Sequence, residues 1–282
     1  MRVVVASGKG GTGKTTVATS LALVAGPATR FLDCDVEAPN AALFFNLVLN
    51  ERKEVGIQLP VVDETLCTHC GRCAEICEFH AIAVIGKKTL IFPELCHGCG
   101  SCTLICPEKA ISERLDVMGV LESGFTSEGI DFAQGVMNVG EPMAVPILRE
   151  LKKWPPARSF DIEIRDAPPG ASCPVVETMR GSDFVLLVTE PTPFGLHDLK
   201  QVVGITRELG IPAGVVINRD GIGDNAVESY CAEAGLQVLM RIPMERRFAE
   251  AIASGKTLVQ AAPEYREKFS ALLENITARV AA

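Results

Sequence analysis

Eight of the eleven cysteines fall in two matched runs, Cys67-Thr-His-Cys70-Gly-Arg-Cys73-Ala-Glu-Ile-Cys77 and Cys96-His-Gly-Cys99-Gly-Ser-Cys102-Thr-Leu-Ile-Cys106-Pro107. Each has the spacing C-x2-C-x2-C-x3-C. Three thiols this close together wrap one corner of a metal cluster, and the fourth reaches further. The runs belong to an internal repeat with an offset of 29 residues, which also aligns Gly71 with Gly100, Ile76 with Ile105, Ala81 with Ala110 and Ile82 with Ile111. Repetition beyond the cysteines predicts two copies of one half-domain packed together. A segment of roughly 50 residues with few large apolar side chains needs a staple to fold, and metal clusters would supply it.

The spacing resembles that of bacterial ferredoxins, which hold a pair of [4Fe–4S] clusters and in which the fourth cysteine of each run ligates the other cluster. The resemblance assigns Cys67, Cys70, Cys73 and Cys106 to one cluster, and Cys96, Cys99, Cys102 and Cys77 to the second. Structural zinc suits the pattern less, since it favours paired C-x2-C units. Pro107 follows Cys106 as in ferredoxins, but Glu78 follows Cys77. A carboxylate there should lower the potential of the second cluster, because negative charge disfavours reduction. His69 and His97 lie in these loops and are read as surface residues, the thiol count being complete.

The chain opens differently. Arg2–Ala6 reads as a buried strand, Gly8-Lys9-Gly10-Gly11-Thr12-Gly13-Lys14-Thr15-Thr16 as a Gly-rich loop, and Thr15–Ala25 as a helix. Strand, loop and helix in that order are the context of a phosphate-binding loop. Its glycines turn backbone N–H groups toward the phosphates of ATP, Lys14 reaches the β- and γ-phosphates, and the Thr15 hydroxyl binds Mg2+. Further strands are expected at Ala28–Asp33, Phe160–Arg165, Phe184–Val188, Ala213–Asn218 and Val238–Ile242. Helices are expected at Pro142–Lys153, Phe194–Leu209, Asn225–Ala234 and Glu264–Val280, and a hairpin from Val117–Leu121 and Ile130–Val136. The fold class expected is α/β: a P-loop NTPase with a mostly parallel, doubly wound sheet, plus a small inserted ferredoxin-like α+β domain. Residues 1–58 and 114–282 would form the first, and residues 59–113 the second.

Lys9 within the loop, Asp33-Cys-Asp35 at a strand end and Asp166-Ala-Pro-Pro-Gly170 at another resemble the MinD/ParA group of deviant Walker A ATPases, which also holds the nitrogenase iron protein and the Mrp-type cluster carriers. Within it the chain is most similar to MinD-superfamily ATPases with an inserted ferredoxin domain. The resemblance covers most of residues 1–50 and 114–282. It implies that Lys9 crosses to the nucleotide of a partner subunit, in a homodimer or a heterodimer with a related ATPase. It implies that Asp35, in switch I, orients the attacking water and that Asp33 supports the Mg2+ shell. Asp166, in switch II, would hold Mg2+ through water, Asn218 would read adenine, and Pro243 would flank the base.

A net charge of −8 argues against nucleic acid as a partner. The start of the chain does not read as a signal peptide and no apolar run would span a bilayer, so a cytoplasmic protein with reduced thiols is expected. Cys34 and Cys231 read as small buried hydrophobes. Cys173 follows Asp166 by seven positions. The nitrogenase iron protein has a cluster-holding cysteine at that offset, and needs a second that has no clear counterpart here, so the resemblance makes Cys173 a candidate interface thiol or labile ligand. The C-terminal helix, with Phe269, Leu272, Leu273, Ile276 and Val280 at helical spacing, reads as core packing rather than a membrane anchor. The expected function is an ATP-hydrolysing iron–sulfur protein that couples nucleotide-dependent dimerisation to electron transfer or to docking of a redox partner. The alternatives are a cluster carrier or assembly ATPase, and a MinD/ParA-like spatial-organising ATPase with redox-sensing clusters.

Overall fold

The computed structural model describes residues 1–281. In chain order the elements are β1 (Arg2–Ala6), α1 (Lys14–Ala25), β2 (Thr29–Asp33), β3 (Leu47–Val62), α2 (Arg72–Glu75), β4 (Ile82–Ile85), β5 (Lys88–Ile91), α3 (Ser101–Ile105), β6 (Ile111–Thr126) and β7 (Asp131–Met137). Then follow α4 (Val145–Lys153), β8 (Ile162–Asp166), α5 (Cys173–Met179), β9 (Phe184–Thr189), α6 (Pro193–Glu208), β10 (Ala213–Asp220), α7 (Ala226–Glu233), β11 (Gln237–Pro243), α8 (Arg246–Ala253), α9 (Leu258–Ala261) and α10 (Tyr265–Ala281).

Nine strands form one sheet in the order β11-β10-β9-β1-β8-β2-β7-β6-β3. The seven from β11 to β7 run parallel, and β6 and β3 are antiparallel additions at one edge. The central strands are short apolar runs such as Val3-Val-Val5 and Phe184-Val-Leu-Leu187, buried because helices cover both faces. On one face Phe31, Phe45 and Phe132 pack together beneath α1 and α10, where Phe269, Leu272 and Ile276 are buried. The C-terminal helix is therefore core. On the other face α5, α6 and α7 cover the centre, and α4 covers the β7–β6–β3 edge through Ile147, Leu148 and Leu151.

The antiparallel edge is larger than expected. The hairpin predicted from Val117–Leu121 and Ile130–Val136 exists, but its first strand is β6, sixteen residues long, and it pairs along its length with an equally long β3. The expected boundaries at residues 59 and 113 fall inside these continuous strands. The stretch Asn50-Glu-Arg-Lys-Glu54 carries four charges yet is strand. An edge strand needs such charges to discourage pairing with other chains. β7 stops at Met137, opposite Gly119 of β6, whereas β3 and β6 continue for about seven more residues, roughly 24 Å at the strand rise. β7 is parallel to β2, so this overhang projects from the carboxyl end of the parallel sheet. The ladder shifts register between Val55 and Gly56. A Cβ on Gly56 would lie 1.7 Å from the carbonyl oxygen of Asp116, so only glycine fits where the ribbon leaves the sheet.

At the tip of the ribbon the internal repeat recurs in the backbone. Positive φ occurs at Gly71 and Gly100 (82° and 75°), at His69 and Gly98 (56° and 63°), and at His80 and Lys109 (53° and 52°), each pair 29 residues apart. Gly71 and Gly100 each precede a short helix, α2 or α3, and Ile82 and Ile111 each start a strand. Three of these six positions are not glycine, so the duplication of geometry runs deeper than that of sequence.

Candidate functional site

The first loop wraps the amino end of α1. Gly11 and Gly13 have φ of 77° and 94°, which side-chain-bearing residues adopt at a cost. Gly13 also has no room for a Cβ, which would sit 2.4 Å from the amide nitrogen of Asn218. That amide donates to the Thr12 carbonyl at 2.7 Å, tying the end of β10 to the loop. The loop, Lys14, Thr15, Thr16, Asp35, Asn40, Pro169, Asn218 and Pro243 border one cavity of about 590 Å3. That is the size range of small-molecule sites. Gly8, Lys9 and Thr12 stand outside this lining, Gly8 pressed against Asp198. The far wall is apolar, from Phe44, Phe248, Ile252 and Leu258. Among these, α8 and α9 were not expected from sequence.

The carboxylates occupy the carboxyl ends of the parallel strands, where ligands bind in doubly wound folds. Thr15 Oγ1 donates to Asp166 Oδ2 at 2.6 Å, while Asp166 Oδ1 is buried without a partner. Burial raises the Asp166 carboxyl to about 6, against the opposing pull of Lys14 and Thr15. An orphaned carboxylate oxygen beside a threonine hydroxyl suits a hydrated cation. Asp35 lines the cavity, its carboxyl pushed up by burial and pulled down by Lys14. Asp33 is fully buried and accepts from the backbone N–H groups of Asp35, Asn40 and Ala41 at 3.1, 2.9 and 2.9 Å. Its carboxylate organises its own loop. Burial and the neighbouring Asp166 push it upward.

Lys9 is turned onto its own chain. Its ammonium bonds Glu190, and Arg219 donates to the other Glu190 oxygen at 2.9 Å and to the Gly11 carbonyl at 3.0 Å. Arg219 sits at a register shift of β10 with φ 55°, a bulge that aims its side chain across the loop. Neither Glu190 nor Arg219 was expected at the site. The signal available was position: Glu190 follows β9 as Asp35 follows β2, a polar residue after a buried parallel strand.

At the tip of the ribbon two smaller cavities have thiol walls. Cys67, Cys70, Cys73 and Cys106 border one, and Cys77, Cys96, Cys99 and Cys102 the other. Backbone N–H groups point at the sulfurs in matching places: Ala81 N–H lies 3.3 Å from Cys77 Sγ and Ala110 N–H 3.3 Å from Cys106 Sγ. Gly98 N–H lies 3.4 Å from Cys96 Sγ. Among the described residues no group of three or more His, Cys, Asp or Glu is arranged to hold a metal ion. The two histidines differ. His69 Nδ1 lies 3.2 Å from Thr89 Oγ1 and 3.6 Å from Cys67 Sγ, whereas His97 stacks on Phe79 with ring centroids 3.7 Å apart. Glu78 is exposed.

The remaining thiols divide. Cys34 and Cys231 are buried, and burial pushes Cys231 up to about 11. Cys173 is exposed at the start of α5. Among the described residues no helix is long and apolar enough to cross a membrane.

The family model of the CobQ/CobB/MinD/ParA nucleotide binding domain matches residues 3–259. The uncharacterized protein MJ0579 of Methanocaldococcus jannaschii is 30% identical over 263 residues, 92% of each chain. The uncharacterized protein MJ0578 of the same organism is 32% identical over 226 residues, 79% of this chain and 80% of that one. The cell division ATPase MinD of Pyrococcus furiosus has a similar structure, with a TM-score of 0.58 at 22% identity, covering 98% of each chain. The septum site-determining protein MinD of Pyrococcus horikoshii, complexed with Mg-ADP, has a TM-score of 0.57 at 20% identity, covering 98% of this chain and 95% of that one. These likenesses extend the agreement from motif to fold, and the chain belongs to the CobQ/CobB/MinD/ParA family of nucleotide-binding proteins.

Proposed function

We propose that the chain is an Mg2+-dependent ATPase carrying two [4Fe–4S] clusters, in which ATP-driven dimerisation is coupled to electron transfer or to docking of a redox partner. The observation that carries this reading is placement. The ribbon puts two four-thiol cavities beyond the carboxyl end of the sheet, the end that also bears the phosphate loop. The thiol sets fit the group: each cavity draws three cysteines from one run and one from the other, and backbone N–H groups face the sulfurs. The two C-x2-C-x2-C-x3-C runs suit clusters better than zinc, which favours paired C-x2-C units. The clusters, when bound, would supply one-electron chemistry.

The residues divide the ATPase work. Gly10, Gly11, Gly13, Thr15 and Thr16 would cradle the phosphates, and Lys14 draws charge off the β/γ oxygens. Thr15 and Asp166 hold the hydrated cation, and Asp35 positions the attacking water. Lys9, released from Glu190, would complete the site of a partner subunit. That one organism carries two relatives of this kind is what a heterodimer of related subunits would need. A cluster carrier is the second reading, favoured only by the exposed Cys173 after switch II.

The deciding experiment compares ATPase rate with clusters oxidised and reduced, and cluster potentials with and without ATP. Coupling in both directions supports the proposal. Cluster loss to an apo-acceptor, abolished in Cys173→Ser, supports the carrier. Iron–sulfur content that survives unchanged when all eight thiols are converted to serine would end the two-cluster reading.

A further inference from the structure

On the sheet face beneath α4 and α5, away from the phosphate loop, lies a further cavity of about 580 Å3. In register on three neighbouring strands, Arg2 of β1 and Arg30 of β2 flank Glu163 of β8, and Arg165 follows on the same face. Arg30, Glu163 and Arg165 are 4%, 2% and 4% exposed. Two guanidinium groups are thus buried with one carboxylate. The rim adds Arg149 and Lys152, which share Glu177, together with Lys153 and Arg180. Seven cations and two carboxylates border the cavity, in a chain whose net charge is −8.

Helix ends account for part of this. Arg165 bonds Glu163 and the carbonyls of Thr178 and Arg180 at the end of α5, so it is fully used. Arg30 bonds the Trp154 carbonyl at the end of α4 and lies 3.5 Å from Glu163. Its Nε, however, is buried with no partner. A buried donor left unmade costs free energy that a ligand would recover. Burial also lowers the affinity of Arg30 for its proton, which an anion beside it would restore.

We infer that this cavity binds a small phosphate-bearing molecule. Guanidinium forks match phosphate oxygens in pairs, and the excess positive charge needs a polyvalent counter-anion. The concave volume suits a small molecule rather than a macromolecular surface. Pro156 and Phe160 give it an apolar wall on which a non-phosphate part can rest. This site is independent of the ATPase proposal, since no residue of the phosphate loop reaches it.

The test uses pyrophosphate, titrated calorimetrically into the full-length protein and into Lys14→Ala, whose phosphate loop is disabled. Saturable binding in Lys14→Ala is expected, weakened at least 10-fold in Lys14→Ala combined with Lys153→Glu and Arg180→Glu, two rim changes that leave the buried cluster intact. Arg30→Lys, which keeps the charge and loses the fork, should also weaken it, with circular dichroism checking the fold. Citrate should bind more weakly than pyrophosphate. Absence of saturable binding in Lys14→Ala, an unchanged affinity in the rim variant, or equal binding of citrate would overturn the proposal, as would binding of a polyglutamate peptide but not of pyrophosphate.

Discussion

Glu190→Gln is predicted to tighten ATP-dependent self-association, because it removes a contact that keeps Lys9 at home. In the proposed dimer Lys9 would serve a partner's nucleotide only after leaving Glu190, to which it is bonded while Arg219 holds the second carboxylate oxygen at 2.9 Å. The Lys9 side chain is 32% exposed and that of Glu190 7%, so the pair is worth roughly 1 kcal/mol, above a fully exposed ion pair and well below a buried one. A twofold dimer breaks two copies, roughly 2 kcal/mol, which corresponds to a dimer Kd lowered about 30-fold. Gln is isosteric and keeps a hydrogen-bond acceptor for Thr192, so the fold should hold. Sedimentation velocity with a non-hydrolysable ATP analogue measures the Kd. Nucleotide affinity of the dilute monomer, measured separately, guards against an effect on ATP binding alone. Arg219→Gln is the control, since it removes the neighbouring cation and leaves Lys9 tethered, and should not tighten the dimer. Unchanged or weaker association in Glu190→Gln would refute the reasoning.

The same carboxylate carries a pH signature. Burial would raise Glu190, but Lys9, Arg219 and Thr192 outweigh it and hold the carboxyl below its usual 4.5. A depressed carboxyl contributes stability that is present above pH 4.5 and lost as pH falls through the lower folded-state value. The melting temperature of wild type minus that of Glu190→Gln should therefore shrink between pH 6 and pH 3; a constant difference would show that the charge is not involved. Gly56→Ala should cost roughly 2–3 kcal/mol, read by thermal denaturation, since its Cβ would lie 1.7 Å from the Asp116 carbonyl oxygen between two paired strands. Asp33→Ala leaves the N–H groups of Asp35, Asn40 and Ala41 without their acceptor and should cost about 3 kcal/mol, whereas Asp33→Asn, which keeps one oxygen, should cost less. Iodoacetamide should label Cys173 in the native protein, and leave Cys231, 1% exposed and protonated at neutral pH, untouched until unfolding. Equal labelling rates by mass spectrometry would contradict the burial argument.

The parts of the fold legible in the sequence were those whose residue pattern has one physical use. Gly8 to Thr15 between an apolar strand and a helix is such a pattern, and the parallel core strands follow from unbroken runs like Val185-Leu-Leu-Val188. The long ribbon was not legible. Its strand β3 joins a charged first half with the alternation of Val55, Ile57 and Leu59, and only pairing with β6 makes the two halves one element. The Lys9–Glu190–Arg219 cluster was also hidden, because it joins residues 181 and 29 positions apart through a bulge that no local signal announces. At the cysteine repeat, identity at the thiols showed the duplication, but the shared positive φ of His80 and Lys109 did not, since two unlike side chains fill the same backbone role.

The nucleotide loop and the ribbon are mechanically continuous. Asp33 gathers the backbone N–H groups of Asp35, Asn40 and Ala41, tying the loop that follows β2 together through one buried carboxylate. Its middle, Val36, is 1% exposed, and its carbonyl accepts from Met137 N–H at 2.8 Å at the end of β7. Met137 pairs with Gly119, and Gly119 with Val55, one residue before the register shift where β3 and β6 leave the sheet. Gly135 packs against Val36 so closely that an added Cβ would lie 2.7 Å from its side chain. If the Asp35 loop moves with the nucleotide, as the proposed function requires, the movement bears on the root of the ribbon. A tip about 24 Å out amplifies a small rotation at that root into a displacement of the thiol cavities. In the opposite direction, a partner bound at the tip would act through the same contacts on the Asp35 loop. Energetic coupling between binding events is reciprocal, so if nucleotide binding displaces the thiol tip, a partner that binds the tip must change the affinity for nucleotide by the same factor.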